Sequence, residues 1–151
     1  MSWWTACAER TLTEQIPAPP EEVRRFYADL NNIRHVHPLV ISVRTIARRE
    51  TADGCMQTYR VRDRIPLKLF TLRVSYRARV YVPAAGDVIA EARQFPRVHL
   101  HNRVTFEQFD GGTRVVERMR IEAPRILATV TTREAVDSHV AMLAGIRRYF
   151  E

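Results

Sequence analysis

The stretch that most constrains the fold is the last one. Thr131 and Glu134 have the T-x-x-E spacing of a capping box, which predicts a helix over residues 132–150. Val136, His139, Leu143, Ile146 and Phe150 recur at steps of three and four and form one face of it. Glu134, Asp137, Ser138 and Arg148 fall on the opposite, wet face. Almost everything upstream reads as strand. One amphipathic helix and many strands bury their apolar faces against each other, so a sheet curled around that helix is expected.

The upstream chain supports this. Residues 10–16 alternate as a first strand, which Pro17-Ala18-Pro19-Pro20 ends. Pro20 suits the first turn of a helix, and Glu21 and Glu22 suit its positive end. Val23, Phe26, Tyr27 and Leu30 give a short amphipathic helix, which Asn31-Asn32 breaks. Residues 33–36 allow one more short turn before Pro38. Six strand-like runs follow, at 39–49, 55–64, 67–82, 88–95, 98–109 and 113–123. Their short connections suit antiparallel hairpins. With no repeat, linker or low-complexity tract, one domain over residues 1–151 is expected.

The connections are of two kinds. Residues 51–54, 84–87 and 110–113 are polar turns with glycine. The others set proline among apolar residues, at His37-Pro38-Leu39, Ile65-Pro66-Leu67, Phe95-Pro96 and residues 123–127. In an antiparallel meander alternate turns share an end, so the proline loops should gather at one end of the sheet. Loops are usually polar. An apolar ring of loops suggests an opening used by apolar molecules, or a patch that meets a partner.

The order of strand, two short helices, six strands and long C-terminal helix resembles the α+β helix-grip fold. Residues 16–23 (IPAPPEEV), followed by Phe26-Tyr27-Ala28-Asp29, Asn32-Ile33 and His37-Pro38-Leu39-Val40, resemble the opening of the START-like (SRPBCC) superfamily, in its polyketide cyclase/dehydrase and lipid-transport branch. Many members carry a tryptophan before the His-Pro pair, where this chain has Val36. The resemblance implies a seven-stranded antiparallel sheet and a cavity, between sheet and helix, for a hydrophobic or amphipathic small molecule.

Strand parity assigns the faces. Phe70, Leu72, Val74, Tyr76, Ala78 and Val80 share one side, as do Tyr59, Val61, Asp63 and Ile65. Val98, Leu100, Asn102, Val104 and Phe106 go together, and so do Val115, Glu117, Met119 and Ile121. Asp63, Asn102, Glu117 and His139 are then polar groups on the inner face. Buried carboxylates need partners or shifted pKa values. These groups either bond one another, a tyrosine or water, or they orient a ligand or move a proton. The expected ligand contacts are Tyr59, Asp63, Tyr76, Asn102, Glu117, Met119, His139 and Leu143. The expected mouth is His37, Ile65, Leu67, Phe95, Ile126 and Leu127, with His35 beside it.

The outer face collects Arg60, Arg62, Arg64, Arg73, Arg77, Arg79, Arg103, Arg114, Arg118 and Arg120, with Glu91, Glu107 and Glu122 among them. His99 and His101 belong there too. The net charge is +7, and every basic residue except Lys68 is arginine. Such a face is a solvated surface, an arginine bias of the genome, or a contact for anionic lipid or an acidic protein. Few aromatics interleave with the arginines, which disfavours nucleic acid. Two His-x-His pairs fall short of a converging metal site, so no metal and no cofactor are expected. Catalytic glycine and serine motifs are absent. No apolar run approaches the ~20 residues of a membrane span. The N-terminus lacks a basic region, so cytoplasmic placement with Cys7 and Cys55 as free thiols is expected, and Trp3 and Trp4 are expected to dock on the body.

The favoured function is binding, with transport as an extension, of a lipid, polyketide or related metabolite. The rival is an aromatase/cyclase in which Glu117, His139 or Asp63 handles protons. A third reading is an interaction module working through the arginine face.

Overall fold

The structure, a computed structural model, describes residues 3–151. Strand β1 (Thr5–Ile16) leads to helices α1 (Pro20–Ala28) and α2 (Leu30–Ile33). Then come β2 (Val40–Thr51), β3 (Gly54–Pro66), β4 (Thr71–Pro83), β5 (Val88–Gln94), β6 (Val98–Phe109), β7 (Gly112–Pro124) and α3 (Arg125–Phe150). The sheet order is β1-β7-β6-β5-β4-β3-β2, and each neighbouring pair is antiparallel. This is the helix-grip architecture. β1 closes the ladder against β7 from Thr5↔Pro124 to Ile16↔Thr113.

Local chemistry places the elements. Pro20 opens α1, Glu21 and Glu22 meet its positive end, and Arg25 meets its negative end. Its Val23, Phe26 and Tyr27 are buried. Asp29 caps α2 by accepting from the Asn31 N–H. Asp110 and Gly111, at φ 50 and 78, form a two-residue turn between β6 and β7. Positive φ at both central positions is what the type I′ hairpin requires, and its twist matches that of the strands.

The sequence expectations need correction at three boundaries. β1 starts at Thr5 because its whole length pairs with β7. β4 starts at Thr71, since residues 67–70 are a turn closed by the Leu67 N–H donating to Phe70 O at 2.8 Å. Their apolar side chains imitate strand. α3 starts at Arg125, seven residues before the expected point. Pro124 stands at its N-cap position with no side-chain cap, so Thr131 and Glu134 lie inside the helix rather than capping it.

The inner side chains of β3, β4, β6 and β7 join Ile16, Val23, Phe26, Met142, Leu143 and Ile146 in one core. α3 packs against β1 and β7. Gly145 lets the segment before β2 come close, since a Cβ there would meet Val36 Cβ at 3.0 Å. That approach brings His37 onto α3.

Trp3 and Trp4, expected to dock on the body, are largely exposed. They stack on each other at 3.9 Å, while Trp4 O accepts the Arg125 N–H at 2.8 Å. Cys7 is exposed and Cys55 buried, both as free thiols. No helix among the described residues is long and apolar enough to cross a membrane.

Candidate functional site: a polar cluster in an apolar cavity

Four inner strands each bring one polar side chain toward the helices. These are Asp63 on β3, Tyr76 on β4, Asn102 on β6 and Glu117 on β7. Glu117 is fully buried. The Tyr27 hydroxyl of α1 donates to its Oε2 at 2.7 Å, and Nδ1 of His139 on α3 donates to its Oε1. A buried carboxylate is costly unless paired, and here two helices supply the donors. Burial opposes a charge on His139, but the Glu117 carboxylate outweighs it and Asp63 adds to the effect. The imidazolium is therefore favoured beyond its ordinary range. Burial pushes the Tyr27 hydroxyl well up, and Glu117 pushes it further, while a hydrogen bond with the Asn102 side chain opposes both.

His37 lies beside His139, ring centroids 5.3 Å apart and edge-on. Its Nδ1 accepts the Leu39 N–H at 3.2 Å, which leaves the proton of the neutral ring on Nε2. Burial, then repulsion by His139, lowers its pKa to about 3. A neutral imidazole and an imidazolium thus stand side by side. Across from them, Tyr76 donates to Asp63 Oδ2 at 3.1 Å. Burial pushes the Asp63 carboxyl up to about 6, against the pull of Tyr76 and His139. Asp63 Oδ1 and Asn102 Oδ1 are buried acceptors with no partner.

The cluster stands between two hollows. The larger, about 220 Å³, opens among the proline loops and is lined by Leu39, Ile65, Leu67, Phe95, Leu127 and Asp63, among others. The smaller, about 80 Å³, lies deeper among Tyr27, Leu30, Val61, Val80, Asn102 and Met142. His37, Tyr76, Ala92, Leu100 and His139 border both. Together they reach the low end of small-molecule sites, roughly 300 Å³.

Several expected positions differ. Asp63, Tyr76, Asn102 and His139 are on the walls, as are His37, Ile65, Leu67, Phe95 and Leu127 at the mouth. Tyr59, Glu117, Met119 and Leu143 are not. Glu117, Met119 and Leu143 lie where α3 sits directly on β1 and β7; the sheet parts from the helix toward β3–β5, and the hollow is there. Tyr59 is buried near the backbone of Leu30, with its hydroxyl donating to Gln57. Ile126 points outward and is 91% exposed.

The helix wall also corrects the sequence reading. Leu127, Val130, Thr131, Glu134, Ala135, Ser138 and His139 face the hollow. Their spacing is helical, but five of the seven are polar or small, so an apolar period does not reveal them. Ser138, expected on the wet face, is 5% exposed. Tyr27 was legible as one of the apolar residues of α1, and nothing local marked its hydroxyl as a partner of Glu117.

The outer face carries a row of like charges. Arg44, Arg60, Arg77 and Arg93 are directly opposite one another across β2, β3, β4 and β5. Nearby, Glu91 pairs with Arg93 at 3.1 Å and with His99 at 3.0 Å, and Asp87 pairs with Arg103 at 3.1 Å. His99 and His101 belong to this face and not to the cavity. Among the described residues no three His, Cys, Asp or Glu side chains gather as a metal site.

The fold is the helix-grip fold, with a cavity between sheet and helix. No protein-family model and no curated protein sequence matches the chain. Solved structures do. It is similar to TTHA0849 of Thermus thermophilus, with TM-score 0.75 and 21% identity over 93% of this chain and 95% of that one. It is similar to the ZhuI aromatase/cyclase of Streptomyces sp. R1128, with TM-score 0.68 and 17% identity over 97% and 96%. Ara h 8.0201 shares the fold at TM-score 0.64 and 10% identity, over 96% and 98%.

Proposed function

We propose that the cavity binds a hydrophobic or amphipathic small molecule whose polar end donates hydrogen bonds. The observation that carries this is the pair of orphaned acceptors, Asp63 Oδ1 and Asn102 Oδ1, in a chamber whose sheet wall is mostly apolar. A buried acceptor without a partner costs about 1–3 kcal/mol, which a ligand hydroxyl or a bound water recovers. His139, with its Nδ1 committed to Glu117, offers its other N–H to an acceptor on the same molecule. A hydroxylated aromatic or alicyclic ligand fits these demands better than a fatty acid. A carboxylate would meet Asp63 charge to charge above its pKa of about 6.

The test is native mass spectrometry of the purified protein, followed by calorimetric titration with a series of hydroxylated polycyclic compounds and fatty acids. A retained hydroxylated ligand, bound at least tenfold more weakly by Asn102→Leu, is the expected result. Preference for the fatty acids would sink the reading.

A second reading, catalysis by proton transfer next to a ketone, is favoured by Asp63 and His139 bordering the same hollow. The Asp63 carboxylate, ionised above about pH 6, can take a proton from carbon while the His139 imidazolium polarises the carbonyl through its Nε2–H. The aromatase/cyclase neighbour works on the same scaffold. Incubation with a poly-ketone thioester analogue, comparing wild type with Asp63→Asn, checks it. Equal rates of ring closure in the two proteins would reject it.

A further inference from the structure

We propose that the rim of the cavity mouth inserts into the surface of an anionic phospholipid bilayer. Three separate elements end at this rim, and each holds a large apolar side chain in water. Leu69, in the β3–β4 turn, is 94% exposed; Phe95, between β5 and β6, is 90% exposed; Ile126, in the first turn of α3, is 91% exposed. Phe70 beside Leu69 is exposed as well. A lone exposed leucine is ordinary, but three loop tips ringing one opening are not. Trp3 and Trp4 adjoin the same place through Arg125, and tryptophan suits the boundary between headgroup and hydrocarbon.

Charge selects the occupant. Lys68, Arg97 and Arg125 flank the apolar tips, in the same three elements. The turns at the opposite end of the sheet carry Asp53, Asp87 and Asp110. That end is polar and mixed in charge, since Arg103 pairs with Asp87 and Arg24 donates to Gly86 O there, whereas the mouth end is basic and apolar. An anionic surface attracts the basic apolar end, and so orients the molecule mouth down. Separate protruding tips also suit a fluid layer that closes around each of them, whereas a protein partner would need a matching socket for each. The surface is independent of what the cavity holds.

The two tryptophans, the chain's full complement, are built-in reporters of the rim. The experiment measures partition onto phosphatidylcholine vesicles with and without about one-third phosphatidylserine. It also measures tryptophan emission when the phosphatidylcholine is brominated on its acyl chains. Expected are binding that requires phosphatidylserine, a blue shift and bromine quenching. The triple variant Leu69→Ser, Phe95→Ser, Ile126→Ser should bind at least tenfold more weakly with an unchanged melting temperature, since all three side chains are exposed. Arg60→Ser with Arg77→Ser, on the outer face, should change binding less than twofold. No partition would overturn the proposal. So would partition without quenching, partition lost in the outer-face variant but kept in the rim variant, or a rim-dependent dimer that ignores vesicles.

Discussion

Glu117 on β7 and His139 on α3 join in a buried ion pair, and the second carboxylate oxygen of Glu117 accepts from Tyr27 on α1. The pair couples sheet and helix at the point where they touch, with His139 on the cavity wall and Glu117 one layer behind it. Glu117→Gln removes the charge that holds His139 in its imidazolium form. Burial then has no opponent at that site except Asp63. We expect a loss of about 2–3 kcal/mol in stability, as for a broken buried charged hydrogen bond. Imidazole NMR should show His139 neutral at pH values where the wild type is charged. A mutant as stable as wild type, with His139 still charged, would contradict the assignment.

Asp63 has the opposite sign from an ordinary surface carboxylate. Its folded pKa, about 6, lies above its unfolded value, so its favourable contribution is full at acid pH and is lost as pH rises through 6. Asp63→Asn should therefore stabilise the unliganded protein by about 2 kcal/mol near pH 7.5, with the gain vanishing below about pH 4. Denaturant melts of both proteins across that range measure it. A gain that persists at acid pH would exclude the charge as its cause.

His37 acts at the other limb. Its folded pKa of about 3 lies below the unfolded value, so the stability it contributes is present above about pH 6.5 and lost as pH falls toward 3. His37→Asn should flatten the acid side of the stability curve relative to wild type. Proton uptake on unfolding, read from the slope of stability against pH, is the measurement. Identical slopes would show that His37 is already charged in the fold.

The arginine row predicts a gain. Directly opposed like charges on a sheet destabilise it, and salt screens them. Arg77→Thr places a strand-favouring neutral residue between Arg60 and Arg93. Its melting temperature should exceed that of wild type at low salt, and the difference should shrink at high salt. A lower melting temperature at low salt would show that the arginine stem contributes more by covering the sheet than its charge costs.

The sequence by itself determined the ladder and its ends. Alternation in β3, β4, β6 and β7 put Asp63, Tyr76, Asn102 and Glu117 on one face, because side-chain direction in a strand is fixed by parity alone. Proline and glycine set the loops, because their backbone limits are local. The steps from His139 to Leu143 and Ile146 gave the buried face of α3. What remained hidden needed three dimensions. Leu67 to Phe70 looked like strand because a turn can be as apolar as a strand when it rings an opening. The first turns of α3 escaped notice because Thr131 and Glu134 imitate a capping box in mid-helix, and a helix facing a cavity has no continuous apolar period to correct that impression. Tyr27 and Glu117 lie ninety positions apart. Which buried polar group meets which donor, and which stands at the wall, depends on where the sheet leaves the helix. That separation is a property of the folded sheet's curvature, and no local run of residues encodes it.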